Sequence, residues 1–552
     1  MTAEEVTLVA PLVIAGLWAL LVPLAGRALP DGWTRGVALA GIGLALAAAA
    51  TLIGAPALAA GVSLWSDALV ADRLALWIDA VVLVAIAVLV ACDGAAGAAN
   101  RHGLVLLAGV GALLCAHAGD MTVLVVGLEL ACLAAAALLG RVGRTWLIGQ
   151  GVAGVLLWLG LGLMYGATGT TRLGDLAGRV SAVFLRWGAG TVQSAVDLLQ
   201  SPGPLQGGLE AHARDVAVTG AAPAMLLIPG LLLALAGLLA RFGAVPLQLG
   251  LAGVVGRAGT AGAGAVLVVV RVAAAAALLR LFVGVLHAPR IVYAPYGWGT
   301  AVAAIAGVTA VFGAIAAARQ VDLRRLLGWA AVAHSGLALI GMVAAADFYA
   351  HAGARARGLG TNDHVDWGQS MGDAAVAAVL LTLAIHALAS LGLLAAHAAF
   401  DRGRGHVDLV GLARRAPISA VGVAVCLLGL AGAPPTGAFV ARWALLTAGL
   451  EDSNLLVRMM LAAGLLASAA LVAACVRVLV ALWASEPAEA RPAAVVDRWP
   501  RVVLAVLAAM VLGTGLFGQV SVEASRAAAA GAGLHPGGKA RRVLATSAED
   551  VR

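Results

Sequence analysis

Six ionisable side chains of this sequence lie within long apolar stretches, where charges are rare. They comprise one carboxylate, three guanidinium groups and two imidazoles: Glu129, Arg241, Arg271, His334, His386 and Arg442. Placing a charged group at the centre of a membrane costs about 2.5–3.5 kcal/mol on insertion scales, so each is a functional candidate by default. Their spread over six stretches at similar depth predicts a midplane chain of charges that relays protons through trapped water.

A purely structural interpretation stays open beside the relay. Glu129 could pair with an arginine only to hold helices together, and His386 is equally compatible with packing and with relay. Four further ionisable residues lie closer to the ends of apolar stretches and are predicted to be interfacial: Asp79, Asp93, His117 and Arg477.

Proline interrupts two of the apolar stretches at corresponding places. Pro246 lies in RFGAVPLQ, and Pro434 and Pro435 lie in LAGAPPTGAFVARW. Proline inside a span frees backbone carbonyls, which is tolerated at membrane depth only where protein or a water-filled cavity covers them. Broken helices five spans apart predict two inverted five-helix repeats, formed by spans 4–8 and 9–13.

The elements that must position these residues are predicted to be membrane-spanning helices. Of the 552 residues, 62% are hydrophobic and 11% are charged. Soluble domains carry about 25% charged residues, and disorder requires low hydrophobicity, so both classes are excluded. The stretches are continuously apolar, which predicts an all-α polytopic membrane protein rather than a barrel. We expect about fourteen transmembrane helices, near 5–25, 36–57, 74–92, 102–118, 121–140, 145–165, 223–247, 258–287, 298–318, 326–346, 373–399, 416–447, 455–483 and 501–522.

Arginines concentrate in the loops after odd-numbered spans, which predicts that those loops are cytoplasmic and that both termini lie on the outer face. Glu4 and Glu5 precede the first apolar stretch, so we expect a retained span rather than a cleaved signal peptide. Two long polar connections, near 172–222 with a surface helix from Val180 to Leu199 and near 347–372, are expected on the outer face. The predicted segments are a three-helix start (1–100), a first repeat (101–290), a second repeat (291–484) and a last helix with a polar tail (485–552).

Motifs for other chemistry are absent from the sequence. It contains no P-loop, no dinucleotide fingerprint between strand and helix, and no His/Cys cluster at metal spacing. We therefore expect no bound cofactor, no metal and no nucleic-acid partner. The cysteines fall singly in apolar runs and are predicted to be buried packing residues: Cys92, Cys115, Cys132, Cys426 and Cys475.

Several of these motifs, in this order, resemble the subunit N family of the proton-pumping NADH–quinone oxidoreductase, respiratory complex I. That family is related to two other large membrane-arm subunits and to the Mrp cation/proton antiporters. The resemblance covers about residues 100–450 and is carried by GLELACL (127–133), MYGATGTTRL (164–173), RFGAVPLQ (241–248), VVRVAAAAALLRLF (269–282), ARQVDLRRLLGWAAVAHSGLALIG (318–341) and GLARRAPISAVGVAVCLLGLAGAPPTGAFVARW (411–443).

The resemblance implies a fourteen-helix fold with two inverted repeats and a lateral proton path. The family glutamate on span five matches Glu129, and the histidine in span ten matches His334. Three family lysines, on spans seven, eight and twelve, are replaced by Arg241, Arg271 and Arg442. A family histidine after the span-seven proline is Gln248 here, and a span-eleven tyrosine is His386.

Lysine is nearly absent from the whole chain: of 35 basic residues only Lys539 is a lysine. Lysine loses its proton readily when desolvated, whereas arginine stays charged in proteins. Two interpretations follow. Either the path now depends on Glu129, His334, His386 and water, with the arginines as fixed charges, or the subunit keeps its fold and contacts without translocating.

The sequence thus favours a proton-translocating membrane-arm subunit of a complex I-like assembly in a bacterial-type inner membrane. Its expected partners are the lipid bilayer and other membrane-arm subunits. NADH, quinone, flavin and iron–sulfur clusters are expected only elsewhere in the complex. The alternatives are an Mrp-type cation/proton antiporter subunit and a non-pumping structural membrane subunit.

Overall fold

Helices form nearly all the regular structure in the computed structural model of the protein. It describes residues 3–93, 98–184, 208–248, 250–287, 292, 297–355, 362–400, 409–452, 454–484 and 498–532. Within these residues the strands are a single antiparallel hairpin of β1 (Val62–Leu64) and β2 (Leu69–Ala71).

The N-terminal segment leads into the body of the molecule through five helices. They are α1 (Ala3–Leu8), α2 (Ala10–Ala25), α3 (Asp31–Thr51), α4 (Pro56–Ala60) and α5 (Arg73–Ala91). The hairpin lies between α4 and α5. Asp72 begins α5 as its N-cap, because its carboxylate accepts a hydrogen bond of 2.8 Å from the Ala75 N–H.

The first half of the core contains a long helix that ends at Phe242, shortly before Pro246. Its helices are α6 (Ala98–Ala116), α7 (Met121–Leu138), α8 (Arg141–Thr168), α9 (Gly208–Phe242), α10 (Leu251–Arg257) and α11 (Thr260–Val283), the last with π-helical turns at Ala265–Val270 and Leu279–Val283. Residues 173–184 are also helical, and most of the surface helix predicted from Val180 to Leu199 lies outside the described residues.

The second half repeats this pattern of a helix interrupted at proline. Its helices are α12 (Trp298–Ala318), α13 (Leu323–Arg355), α14 (Asn362–Phe400), α15 (Leu412–Arg415), α16 (Pro417–Ala431), α17 (Gly437–Glu451) and α18 (Leu455–Trp483). Two further helices follow, α19 (Trp499–Leu516) and α20 (Gly518–Gly531).

Twelve helices of the described residues are long and apolar enough to cross a membrane. Ala10–Ala25 and Pro417–Ala431 are shorter apolar helices. The protein is therefore an all-α, multi-pass membrane protein, as the sequence predicts. The count of fourteen spans and the inverted relation of the two halves stay predictions.

The segment near 347–372 differs from the polar loop that its composition predicts. α13 continues to Arg355 and α14 begins at Asn362, so helix occupies most of it. α13 has 33 residues, about 50 Å of helix, whereas the hydrocarbon core is about 30 Å thick. The helix therefore continues past the apolar layer, and its polar C-terminal end lies outside that layer.

The centre of the molecule lies around α11, whose residues are buried along its length, whereas α18 and α19 expose most of their side chains. Small residues let neighbouring helices approach closely. A Cβ on Gly160 of α8 would lie 2.3 Å from the Ala234 backbone nitrogen, and one on Gly230 of α9 would lie 2.9 Å from the Gly160 oxygen. Glycine at these positions sets the contact between α8 and α9.

Candidate functional site

Glu129 and Arg241 form an ion pair between α7 and the last turn of α9. The Arg241 Nη2 atom lies 2.6 Å from Glu129 Oε1 and donates a second hydrogen bond of 3.3 Å to the Gln150 carbonyl. The Arg241 side chain is fully buried, whereas the Glu129 side chain is 28% exposed in the isolated chain. The pair thus joins a buried fixed charge to a carboxylate that can reach the surface.

A glycine of α8 makes room for this ion pair. A Cβ on Gly154 would lie 2.7 Å from Glu129 Oε1 and 2.8 Å from Arg241 Nη2. Any side chain here must displace one of the two charged groups. The absence of a side chain at residue 154 is therefore a condition for the observed geometry.

The first helix break leaves backbone groups that polar side chains satisfy. α9 ends at Phe242, whose carbonyl accepts a hydrogen bond of 2.7 Å from the Ser335 hydroxyl. The Thr309 hydroxyl accepts one of 3.0 Å from the Val245 N–H. Pro246 follows a cis Val245–Pro246 bond. Backbone freed at membrane depth is thus covered by protein groups, as an apolar solvent requires.

Arg271 lies at the centre of α11 and bridges three helices. Its Nη2 donates to the Ala331 carbonyl at 2.7 Å and to Ser335 Oγ at 2.8 Å, both on α13. Its Nη1 donates to Leu267 at 3.2 Å, and its Nε to the Phe242 carbonyl at 3.4 Å. The guanidinium carbon also lies 5.5 Å from the centroid of the Phe242 ring. Arg271 is therefore a fixed charge held to the end of α9.

His334 of α13 and His386 of α14 form a buried imidazole pair. Their ring centroids are 4.7 Å apart. His334 Nδ1 lies 2.8 Å from the Ala330 carbonyl, and His386 Nε2 lies 3.4 Å from Ser390 Oγ. His386 Nδ1 is buried without a hydrogen-bond partner in the described part of the chain. Each ring has one nitrogen anchored and the other available to a water molecule or a proton.

The second break repeats the arrangement of the first. α16 ends at Ala431, and the Arg442 Nη1 atom of α17 donates to the Ala431 carbonyl. Pro435 follows a cis Pro434–Pro435 bond. Gly432 has a φ of +70°, and a Cβ there would lie 2.1 Å from the Arg442 guanidinium carbon, so glycine meets both the backbone and the space requirements.

At each broken helix, an arginine from another helix therefore donates a hydrogen bond to the last carbonyl. A helix C-terminus carries partial negative charge, which a guanidinium group stabilises. Arg271 serves the end of α9 and Arg442 the end of α16. Because arginine does not release its proton, the groups here that can change protonation are Glu129, His334 and His386. Gln248 stands where the family has a histidine. Its buried Oε1 atom has no hydrogen-bond partner among the described residues.

A second buried charge cluster was missed by the sequence reasoning. Arg280 Nη1 and Nη2 bind the two Asp72 carboxylate oxygens at 2.5 and 2.8 Å, and both side chains are buried. The arginine also donates to the Ala116 carbonyl from Nε at 2.9 Å and Nη2 at 2.6 Å. The signal was Arg280 itself, which lies in the same apolar stretch as Arg271. Its partner, 208 residues away, is not visible in one sequence.

Asp79 and His117 also lie in this region, and both are buried inside the protein; their position at the membrane interface stays a prediction. His117 Nε2 lies 3.0 Å from Asp79 Oδ2, and both residues are no more than 2% exposed. The hairpin covers the pair, since His117 Nδ1 lies 3.2 Å from the Val70 carbonyl. Arg477 is exposed, and Asp93 binds Arg101 near the surface at 2.8 Å.

No group of three or more potential metal ligands occurs among the residues that the structure describes. None of the five cysteines, all of which the structure describes, forms a disulfide; four are buried and Cys92 is partly exposed. The prediction that they are packing residues agrees with these positions.

Comparison with known families matches residues 118–358 and 367–495 to the family described as NADH:quinone oxidoreductase/Mrp antiporter, TM. NADH-quinone oxidoreductase subunit N 1 of Sorangium cellulosum is 30% identical over 428 residues, which are 75% of this chain and 73% of that protein. Subunit N of Desulforamulus reducens is 25% identical over 403 residues, covering 71% and 69% of the two chains.

Solved structures share the fold at lower identity. A chain of respiratory complex I from Thermus thermophilus with bound aureothin superposes with a TM-score of 0.68 at 20% identity, over 93% of this chain and 98% of that one. A chain of the Mrp complex from Dietzia sp. DQ12-45-1b gives a TM-score of 0.71 at 19% identity, over 97% and 98%. The fold alone therefore does not separate these two kinds of assembly.

Proposed function

This chain belongs to the NADH:quinone oxidoreductase/Mrp antiporter family, and on that premise we propose that it is a proton-translocating membrane-arm subunit of a complex I-like NADH–quinone oxidoreductase. The observation that carries the proposal is a set of ionisable groups, four of them buried and two partly buried, that runs through both halves of the fold. It contains the ion pair of Glu129 and Arg241, the central Arg271, the imidazole pair and Arg442. Subunit N relatives over three-quarters of the chain favour this assembly.

In the proposed path the arginines hold charge and other groups move protons. Protonation of Glu129 removes the negative charge of the ion pair, so a proton that reaches Glu129 weakens its contact with Arg241. Arg271 and Arg442 flank the imidazoles as permanent positive charges. A proton passes through water between Glu129 and the pair of His334 and His386. In each imidazole one nitrogen is held by a hydrogen bond, and the other can exchange a proton with water.

The redox chemistry of the assembly lies outside this chain in our proposal. NADH, flavin, iron–sulfur clusters and quinone would bind to other subunits, and the free energy of quinone reduction would reach this chain through its membrane-arm neighbours. Glu129, 28% exposed in the isolated chain, is the group that such a neighbour would cover. We place the protein in the bacterial cell membrane with both termini on the outer face, following the arginine bias of its loops.

The proposal is tested by Glu129→Gln in the assembled complex. Glutamine keeps an oxygen for Arg241 but cannot take up a proton, so we expect normal assembly and electron transfer with a lower proton-to-electron ratio in membrane vesicles. Glu523→Gln, an exposed carboxylate of α20, is the control and should leave that ratio unchanged. An unchanged ratio in Glu129→Gln would remove the pumping role and leave a structural subunit.

An Mrp-type cation/proton antiporter subunit is the second candidate, favoured by the Mrp chain that shares this fold over its whole length. The two candidates differ in their partner subunits and in what drives proton movement, which is quinone reduction in the first and a cation gradient in the second. Purification of the tagged chain with its bound partners separates them. Sodium-dependent proton movement in vesicles that contain this chain without redox subunits would support the antiporter.

A further inference from the structure

A buried contact between a histidine and an aspartate lies beneath the β1–β2 hairpin, apart from the groups of the proposed proton path. His117 directly follows the end of α6, and Asp79 lies two turns into α5. The His117 Nε2 and Asp79 Oδ2 atoms are 3.0 Å apart, and the two residues are 2% and 1% exposed. The contact thus joins two titratable groups that the path does not use.

Both ring nitrogens of His117 face hydrogen-bond acceptors. Nε2 faces the Asp79 carboxylate, and Nδ1 lies 3.2 Å from the Val70 carbonyl of β2. Carbonyls and ionised carboxylates only accept hydrogen bonds, whereas a neutral imidazole has a single N–H. A neutral His117 beside an ionised Asp79 would therefore leave one of the two contacts without a hydrogen. The two contacts together require one additional proton.

The charges of the surrounding side chains lead to the same proton count. Asp72 and Arg280 form a two-bond ion pair, so these buried charges compensate one another. Arg280 also donates to the Ala116 carbonyl, which fixes the backbone directly before His117. An ionised Asp79 beside a neutral histidine would be a buried charge without a cation, which folded proteins rarely contain. Its Oδ1 atom is buried and has no hydrogen-bond partner among the described residues, so that charge would also lack a second donor.

Other charged groups of the neighbouring elements do not supply the missing cation. Those near this end of the helices are partly or fully exposed: Asp67, Arg73, Asp120, Arg172 and Arg526. Of these, Arg172 lies 3.7 Å from Asp67 of the hairpin. Three more belong to the opposite ends of α5 and α6, about 20 Å away along the helices: Asp93, Arg101 and His102.

We propose that His117 is an imidazolium whose two N–H groups join the Asp79 carboxylate to the Val70 carbonyl, so that one bound proton fastens the hairpin to α5 and α6. In water an imidazole is a stronger base than a carboxylate, which places the proton on the ring. Loss of the proton leaves one N–H for two acceptors. Because the hydrogen bond to the charged carboxylate is the stronger one, the contact with the hairpin is lost.

Backbone hydrogen bonds attach the hairpin at the same place. The Val70 N–H donates to the His117 carbonyl at 2.7 Å, and the Gly119 N–H donates to the Ala68 carbonyl at 3.0 Å. These bonds do not require the proton, so its loss loosens the hairpin around Val70 and does not detach it. The site is therefore a proton-binding site whose occupancy sets how firmly the hairpin is held.

Solid-state NMR of the assembled complex, with this chain labelled with 15N-histidine, tests the protonation state. At neutral pH the spectrum should contain a ring with two protonated nitrogens that is lost in His117→Gln. The same signal should be lost in Asp79→Asn, because asparagine carries no charge and can donate to a neutral Nε2. His351→Gln is the matched control and should keep the signal, because this half-exposed histidine lies 3.6 Å from the Asp347 carboxylate in the second half.

Hydrogen–deuterium exchange of the hairpin, residues 62–71, tests the attachment. In His117→Gln the exchange should be about tenfold faster, the factor expected for the loss of one hydrogen bond to a charged group. In Asp79→Asn it should match the parent at neutral pH, because a neutral His117 keeps its Nδ1–H for Val70. A higher pH should accelerate exchange beyond the intrinsic chemical rate in the parent but not in Asp79→Asn.

Two outcomes would overturn the proposal: a single protonated ring nitrogen on His117 of the parent at neutral pH, or hairpin exchange in His117→Gln at the parent rate. If His117→Gln does not assemble, the parent and Asp79→Asn still decide. A doubly protonated ring that survives in Asp79→Asn, or an equal response of both proteins to pH, contradicts the bound proton. Neither readout depends on electron transfer or pumping, so the proposal stands or falls separately from the test of Glu129→Gln.

Discussion

Arg271→Lys and Arg271→Gln together test whether Arg271 is a fixed charge that also joins helices. The parent side chain makes four hydrogen bonds, to Phe242, Leu267, Ala331 and Ser335. A lysine nitrogen placed near the Nη2 position keeps the two bonds to α13. It loses the longer bonds of 3.2 and 3.4 Å, which come from the other two guanidinium nitrogens.

The expected loss follows from the strength of such bonds. A hydrogen bond to a charged group contributes about 1.5–3 kcal/mol, and the two that are lost are at the long end of the range. We therefore expect Arg271→Lys to lower the free energy of unfolding by about 1.5–3 kcal/mol in total. Arg271→Gln should lower it at least as much, because it also loses the bridge to α13.

The two variants should differ in function. Lysine restores a positive charge at residue 271, so pumping should persist in Arg271→Lys, whereas the neutral glutamine should abolish it. Unfolding is followed by detergent titration in mixed micelles, and pumping by the proton-to-electron ratio in vesicles. Arg257→Lys is the control, because Arg257 is exposed and donates a hydrogen bond of 3.0 Å to the Gly253 carbonyl of its own helix. Full pumping by Arg271→Gln would refute the fixed-charge role, and parent-like stability of Arg271→Lys would refute the bridging role.

Two further changes test the packing around the charges. Gly154→Ala should separate Glu129 from Arg241 and lower the proton-to-electron ratio. Gly162→Ala is the control, because Gly162 lies on the same helix with open space around it, and it should leave the ratio unchanged. Equal effects of the two variants would contradict the steric argument. Asp72→Asn leaves Arg280 with an uncompensated buried charge and should lower the free energy of unfolding by about 3–5 kcal/mol. The half-exposed Asp67, 3.7 Å from Arg172, is the control, and its asparagine variant should change stability by less than about 1 kcal/mol; comparable losses for both would refute the burial argument.

The helices could be predicted from the sequence because each stretch satisfies its backbone internally and must match the thickness of the membrane. The ranges 298–318 and 455–483 agree with α12 and α18 at both ends. The segment near 347–372 was predicted less well, since alanine-rich helices continue beyond the apolar layer and hydropathy does not mark their ends. Hydropathy in a single sequence therefore predicts which residues lie within the membrane, but it does not predict where a helix ends in water.

Partnerships between distant residues were the part that the sequence could not supply. Glu129, Arg241 and Arg271 stand out individually because each is charged in an apolar stretch. That Arg271 holds the carbonyl at the end of α9, or that Asp72 binds Arg280, depends on how helices pack.

The scarcity of lysine acquires a physical meaning from the two helix breaks. The three donors of a lysine side chain sit on one nitrogen, which can lose its proton when desolvated, whereas a guanidinium group spreads its donors over three nitrogens and keeps its charge. Arg271 and Arg442 donate hydrogen bonds to the carbonyls at the ends of α9 and α16 and so stabilise the breaks. Neither of them can transfer a proton to a neighbouring group. In our proposal the protons that these arginines cannot carry pass through the carboxyl group of Glu129 and the imidazoles of His334 and His386.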